Sequence, residues 1–133
     1  MTDQRIFAML AYDDAPAAID FLCSAFGFRE RWRMDGDNGT IGHAELELDG
    51  QVVMLASVWR DGGLATPNEL GAAHCQLRCI VDDVDAHWRR ARDAGAIVLG
   101  EPTDQEYGER IYRAVDPEGH RWIFASPLAR AVS

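Results

Sequence analysis

A single offset runs through the chain. Asp14 and Asp83 lie 69 residues apart, as do Gly50 and Gly119. The segments GQVVMLAS and GHRWIFAS end at Ser57 and Ser126, again 69 residues apart. Three landmarks sharing one spacing mean that one supersecondary unit is used twice. With 133 residues in all, the two copies together make one domain-sized body.

Each copy reads as β-α-β-β-β. In the first, Arg5–Tyr12 is a short apolar strand, and Asp13-Asp14 followed by Ala15-Pro16 opens a helix. Ala18, Ile19, Leu22, Cys23 and Phe26 follow at helical spacing until Gly27 stops it. Residues 28–34 form a strand, 35–39 a turn, and 41–48 an alternating strand. Asp49-Gly50 is a hairpin signal, with the return strand over 52–57. Residues 60–73, with Gly62, Gly63, Pro67 and Gly71, read as a linker. The second copy runs from a strand at 75–81, through a helix opened by Asp82-Asp83 and ended at Gly95, to strands at 97–99, 110–115 and 121–125. The expected fold is α+β: module 1 over 5–58, the linker, and module 2 over 74–128, inside one domain of 1–133. Each module carries a four-stranded sheet with a helix on one face. The opposite face is left for the other module, a partner chain or a ligand.

Thirteen basic residues against 22 acidic ones leave a net charge of −9 and no basic run, which speaks against nucleic acid and anionic lipid as partners. Cys23, Cys75 and Cys79 are odd in number and lack CxxC spacing, so a reducing compartment is expected. MTDQRIFAML carries no signal-peptide pattern and no window is apolar enough to span a bilayer, so the expectation is a cytoplasmic protein. No phosphate-binding glycine loop or GxSxG elbow is present.

Four segments carry a resemblance to a known family: YDDAPAAIDFLCSAFGF (12–28), HAELELDGQVVMLAS (43–57), VDDVDAHWRRARDAGA (81–96) and YGERIYRAVDPEGHRWIFAS (107–126). The chain resembles the vicinal oxygen chelate superfamily, also called the glyoxalase/bleomycin resistance/dioxygenase superfamily. The resemblance implies tandem βαβββ modules around a cup-shaped cavity, often in homodimers that share cavities between chains. It leaves activity open, because the family spans metal-dependent enzymes and metal-free antibiotic binders.

Metal-using members place ligands seven residues before the Asp that opens each helix and four residues after each turn Gly. In this chain those positions hold Phe7, Gln76, Met54 and Ile123. A divalent ion needs several N or O donors, and of these four only Gln76 offers one. A slip of one residue adds Cys75 as the sole further donor. The expectation is therefore no metal and no cofactor.

Strand alternation then names the cup-lining residues. Phe7, Met9 and Met54 face in, as do Gln76 and Arg78, while Cys75, Leu77 and Cys79 pack under the helix. His43 and Glu45 stand two apart on one face, either as an acid–base pair or as a polar pair facing solvent. His87 is expected on the solvent face of its helix, and His74 and His120 as surface or structural residues. By the resemblance, the loop at Tyr107, Arg110 and Tyr112 borders the cavity, although Arg110 has neutralisation of Glu109 or Glu106 as an alternative. Trp122 and Phe124 read as core. Trp32 and Trp59 contact either ligand or an interface.

Two functions fit. The first is metal-independent binding of an aromatic or cationic small molecule, of the antibiotic-resistance kind, by a homodimer. The second is a lyase- or isomerase-type enzyme, using His43 and Glu45 with Arg78 or Arg110, or a displaced divalent metal.

Overall fold

The computed structural model describes residues 3–128. Module 1 runs β1 (Met9–Tyr12), α1 (Ala15–Phe26), β2 (Arg29–Asp35), β3 (Ile41–Leu48) and β4 (Gln51–Ser57). Its sheet has the order β1-β4-β3-β2, with β1 parallel to β4 and the other pairs antiparallel. Module 2 runs β5 (Gln76–Ile80), α3 (Val84–Asp93), β6 (Ile97–Val98), β7 (Thr103–Asp104), β8 (Glu109–Val115) and β9 (Arg121–Pro127). Its order is β5-β9-β8-β6, with β7 added beside β8. This is a mixed α+β fold, and the second sheet has five strands rather than the expected four. The extra strand is Thr103–Asp104, too short to show a periodic signal.

Local chemistry explains the repeat. Asp14 and Asp83 each cap their helix, the side chains accepting from Ala17 N and Ala86 N at 3.1 Å. The 69-residue spacing of these aspartates is thus the spacing of two helix starts. Asp49 and Gly50 both have positive φ, as the tight β3–β4 turn requires.

Both sheets turn their helix-bearing faces to one shared core. Tyr12, Phe26, Phe28 and Leu46 of module 1 pack in the same cluster as Val84, Tyr112, Trp122 and Phe124 of module 2. The expectation for Trp122 and Phe124 holds: they are 1% and 0% exposed. Since the cores are joined, the opposite faces of the two sheets look outward.

The seam is held by polar contacts. The Asp116 side chain is buried; its Oδ2 accepts from Tyr12 Oη at 2.6 Å and from Trp122 Nε1 at 3.1 Å. Its Oδ1 accepts from the backbone N–H groups of Glu118 and His120 at 3.1 and 3.0 Å. Burial, then the neighbouring Asp116, raises the Tyr12 pKa well above its ordinary value. The Glu118 carboxylate accepts from Asp13 N and Asp14 N, at 2.5 and 2.9 Å, just ahead of α1. The His120 ring donates to Ala11 O at 2.8 Å, the structural role open to it in the sequence.

Three expectations need correction. The stretch 60–73 is an ordered strap rather than a bare linker: it contains α2 (Pro67–Leu70), capped by the buried Thr66. Arg60 bonds Asp13 and Glu69, and Asn68 donates to Pro117 O, which fastens the strap to both modules. Cys75 is exposed and lies before β5, not under a helix, while Cys79 is half-buried with its thiol pushed up to about 12 by burial. His87 does not face solvent. It occupies the inward face of α3, because Val84, His87, Trp88 and Ala91 share one helical stripe. Phe26 O can only accept, so His87 Nε2 donates to it at 2.8 Å, and Nδ1 accepts from Tyr112 Oη at 2.5 Å.

His87 is therefore bound in its neutral form. Burial lowers its pKa; the Phe26 carbonyl opposes that shift and Arg90 adds to it. Between the lowered folded value and the ordinary value of about 6.5, the unfolded chain holds the extra proton. Stability linked to His87 is present above about pH 6.5 and is lost as pH falls below it. The urea midpoint should drop between about pH 7.5 and about pH 5.5, and His87→Gln should remove most of that drop. An equal drop in the variant would contradict this account.

Candidate functional site

The outward face of module 1 is built by alternation. On β3, Ala44 and Leu46 are fully buried toward α1, so His43, Glu45 and Glu47 point the other way. Register aligns their neighbours: Met54 and Val52 on β4 lie opposite Glu45 and Glu47. On β2, Trp32 lies opposite Glu45, Met34 opposite His43 and Arg29 opposite Glu47. The register shift between Glu30 and Trp32 brings Arg31 to the same face, with its guanidinium 3.9 Å from Glu45. Met9 lies opposite Met54 across the β1–β4 pair.

A cavity of about 1030 Å³ opens on this face, and all its lining residues belong to the first 54 positions. Phe7, Val52 and Met54 give it an apolar floor; Asp3, Glu45, Glu47 and Asp49 outnumber Arg29 and Arg31 around it. Arg29 pairs with Glu47 at 2.9 Å. His43 Nε2 and Glu45 Oε2 are 3.3 Å apart, and the Trp32 ring centroid is 5.7 Å from that of His43. Phe7, Met9, Trp32, His43, Glu45 and Met54 thus share one wall. Trp32 is 50% and Met9 66% exposed, so this wall is open in a single chain.

Gln76 and Arg78 lie on the outward face of module 2, since Leu77 and Cys79, which alternate with them, pack against the core. Arg78 pairs with Glu109 and borders a second cavity of about 410 Å³ at the seam, near Val53, Leu77 and Trp122. Because the two outward faces point apart, one chain does not close a cup between them.

Other candidates lie elsewhere. Tyr112 is a core residue, 2% exposed and bonded to His87, because its register partner on β9 is the buried Phe124. Its phenol pKa is raised by that burial. Arg110 shares the parity of Tyr112 and points to α3, where it bonds Asp85 at 3.0 to 3.2 Å and Asp104 at 3.0 Å. These bonds, Asp85 first, raise its pKa. It neutralises these two aspartates, not Glu106 or Glu109, and is not on the module 2 wall. The turn signal held the answer: Asp116 N bonds His120 O, and counting outward from that pair sets Tyr112 against Phe124. Trp59 folds its ring over Gly62 in its own loop and lines neither cavity described above. Tyr107 is exposed in the turn before β8.

The four positions where metal-using relatives carry ligands are split two and two between the outward faces. Phe7 and Met54 stand on one, Gln76 and Ile123 on the other. A ring, a thioether, an amide and a hydrocarbon do not make a donor set for a divalent ion. Among the described residues, no group of three or more His, Cys, Asp or Glu side chains is gathered to hold a metal.

Comparison with known proteins agrees with this architecture. The family model of the glyoxalase/bleomycin resistance protein/dioxygenase superfamily matches residues 6–124. An uncharacterised protein of Mycobacterium bovis is 38% identical over 122 residues, covering 90% of this chain and 80% of that protein. The crystal structure of TioX from Micromonospora sp. ML1 is 34% identical with a TM-score of 0.72, over 98% of this chain and 100% of that one. FosX, a genomically encoded fosfomycin resistance protein of Listeria monocytogenes, shares the fold at 13% identity and a TM-score of 0.68, over 95% and 94% of the two chains. The chain belongs to the glyoxalase/bleomycin resistance protein/dioxygenase superfamily.

Protein purified without chelator or metal-affinity tag should contain far less than one divalent ion per chain. Reloading with Mg, Mn, Fe, Ni or Zn should leave the thermal midpoint unchanged. A tightly held ion in every chain, by elemental analysis, would contradict the reading of these four positions.

Proposed function

We propose that this protein is a metal-independent small-molecule binder whose ligand is aromatic or cationic, acting in a resistance-like, sequestering role in the cytoplasm. Module 1 (5–58), the strap (60–73) and module 2 (74–128) work as one unit, and two copies pair so that each cup is shared between protomers. The observation that carries this reading is the module 1 wall. Its cavity sets Phe7 and Met54 among four carboxylates and two guanidinium groups, and the open Trp32 ring lies beside it on the same face, opposite Glu45. Aromatic rings and an excess of carboxylates suit a cation attached to a flat or apolar body. The homodimer is supported by the outward direction of both faces, each of which lacks an opposite wall within its own chain. FosX illustrates that this fold hosts a drug-resistance protein.

A second reading rests on the His43–Glu45 contact at 3.3 Å. A carboxylate beside an imidazole makes an acid–base pair, and Arg78 on the facing wall would stabilise an enolate or carboxylate. Arg110 drops out of this reading, since Asp85 and Asp104 hold it on the helix side. Turnover that survives chelator and is lost in His43→Ala would select the enzyme over the binder.

Benzyltrimethylammonium is a direct probe of the module 1 wall. It should quench tryptophan fluorescence saturably, with affinity about tenfold weaker in Trp32→Ala and in Glu45→Gln. Equal affinity in both variants, or no saturable binding by the wild type, would contradict the proposal.

A further inference from the structure

The outward face of module 2 concentrates arginine in a chain whose net charge is −9. Strand register shows how. Ile123 on β9 lies between Arg78 on β5 and Arg113 on β8 in one cross-strand row. Arg121, two residues before Ile123, faces the same way, and lies between Gln76 and Val115 in the next row. Trp122 and Phe124 point to the core, so the parity of this face is fixed. Arg78 and Arg113 are two strand spacings apart, about 10 Å between backbones, and Arg121 lies on the diagonal about 7–8 Å from each. Long arginine side chains at those separations can close their guanidinium groups on one small anion above Ile123.

These charges are poorly compensated. Arg78 pairs with Glu109, whereas Arg113 and Arg121 make no ion pair among the described residues. Both are exposed, and Arg78 is 49% exposed at its side chain. Like charges gathered on one sheet face repel one another unless an anion is added. The Gln76 amide stands beside Arg121 as a further donor, and Ile80 and Ile123 supply an apolar surface next to the cluster.

We propose that Arg78, Arg113 and Arg121 form an anion-binding site for a carboxylate, phosphate or phosphonate group attached to an apolar or aromatic body. Guanidinium forks match such oxyanions bidentately, which a bare apolar wall does not. The proposal deepens the binding function proposed above and rests on it. With module 1 taking the cationic or aromatic part and module 2 taking the anion, the ligand of the shared cup is an amphoteric aromatic compound.

Phenylphosphonate tests this site, measured by isothermal titration calorimetry at low ionic strength. The wild-type protein should bind it saturably. Arg113→Gln combined with Arg121→Gln should weaken binding at least about tenfold, and Ile123→Glu, which sets a carboxylate amid the arginines, should abolish it. Arg89→Gln, on the exposed side of α3, should leave it unchanged, and circular dichroism checks that every variant is folded. Benzyltrimethylammonium should still bind every variant, no more weakly than it binds the wild type, because each change removes positive charge or adds negative charge across the cup; a failure of the module 1 wall therefore reads separately from a failure of the anion site. Absence of phenylphosphonate binding in the wild type, or equal affinity in the double variant, would overturn the proposal. So would a double variant that turns monomeric by sedimentation while the wild type binds no anion, since the arginines would then seat a second copy of the chain.

Discussion

The Asp116 carboxyl group is the contact on which the arrangement of the modules depends. It is 1% exposed, and its donors come from both halves: Tyr12 at the end of β1, Trp122 on β9, and two backbone N–H groups of its own turn. Without it, a phenol and an indole N–H would be buried unpaired, at about 1–3 kcal/mol each. Glu118 from the same turn holds the backbone ahead of α1, and Asn68 ties the strap to Pro117. One turn of module 2 is thereby anchored to the start of module 1. The helices then pack together with the aromatic core beneath them, and the outward direction of both remaining sheet faces follows from strand parity.

Much of this was legible in the residues because it depends on local chemistry. The aspartate caps, the Asp49-Gly50 turn and the Ile41–Leu48 alternation are each readable within a few positions. The shared 69-residue offset promoted them to a fold. The module 1 wall was legible for the same reason: parity along β3 and β4 brings His43, Glu45 and Met54 to one face.

What was missed depends on longer-range register. Tyr112 reads as a cavity residue, and Arg110 as either a cavity residue or a partner of Glu106 or Glu109, but pairing of β8 with β9 turns both to the helix side. His87 reads as solvent-facing from its place mid-helix beside Trp88 and Arg89, yet its stripe with Val84 and Ala91 faces the core, where Phe26 O and Tyr112 satisfy both ring nitrogens. The strap reads as a linker from its glycines and proline, although its order comes from the Thr66 cap and from Arg60 and Asn68 reaching the distant Asp13 and Pro117. In each case the deciding partner lies elsewhere in the chain, beyond the reach of a local pattern.

The two outward faces also differ in chemistry. Module 1 presents rings, thioethers and an excess of carboxylates; module 2 presents arginines around Ile123. The central claim is that these unlike faces meet across two protomers to make one cup. Thiol cross-linking across the cup tests it most directly. Met54→Cys and Ile123→Cys, introduced together in a Cys75→Ser background, put one thiol at the centre of each face. With a flexible bis-maleimide that spans about 10 Å, the spacing of two facing sheets, a covalent dimer is expected, joined between position 54 of one protomer and position 123 of its partner and identified by peptide mapping. A cross-link formed only within a single chain, leaving the protein monomeric on a denaturing gel, would contradict the shared cup.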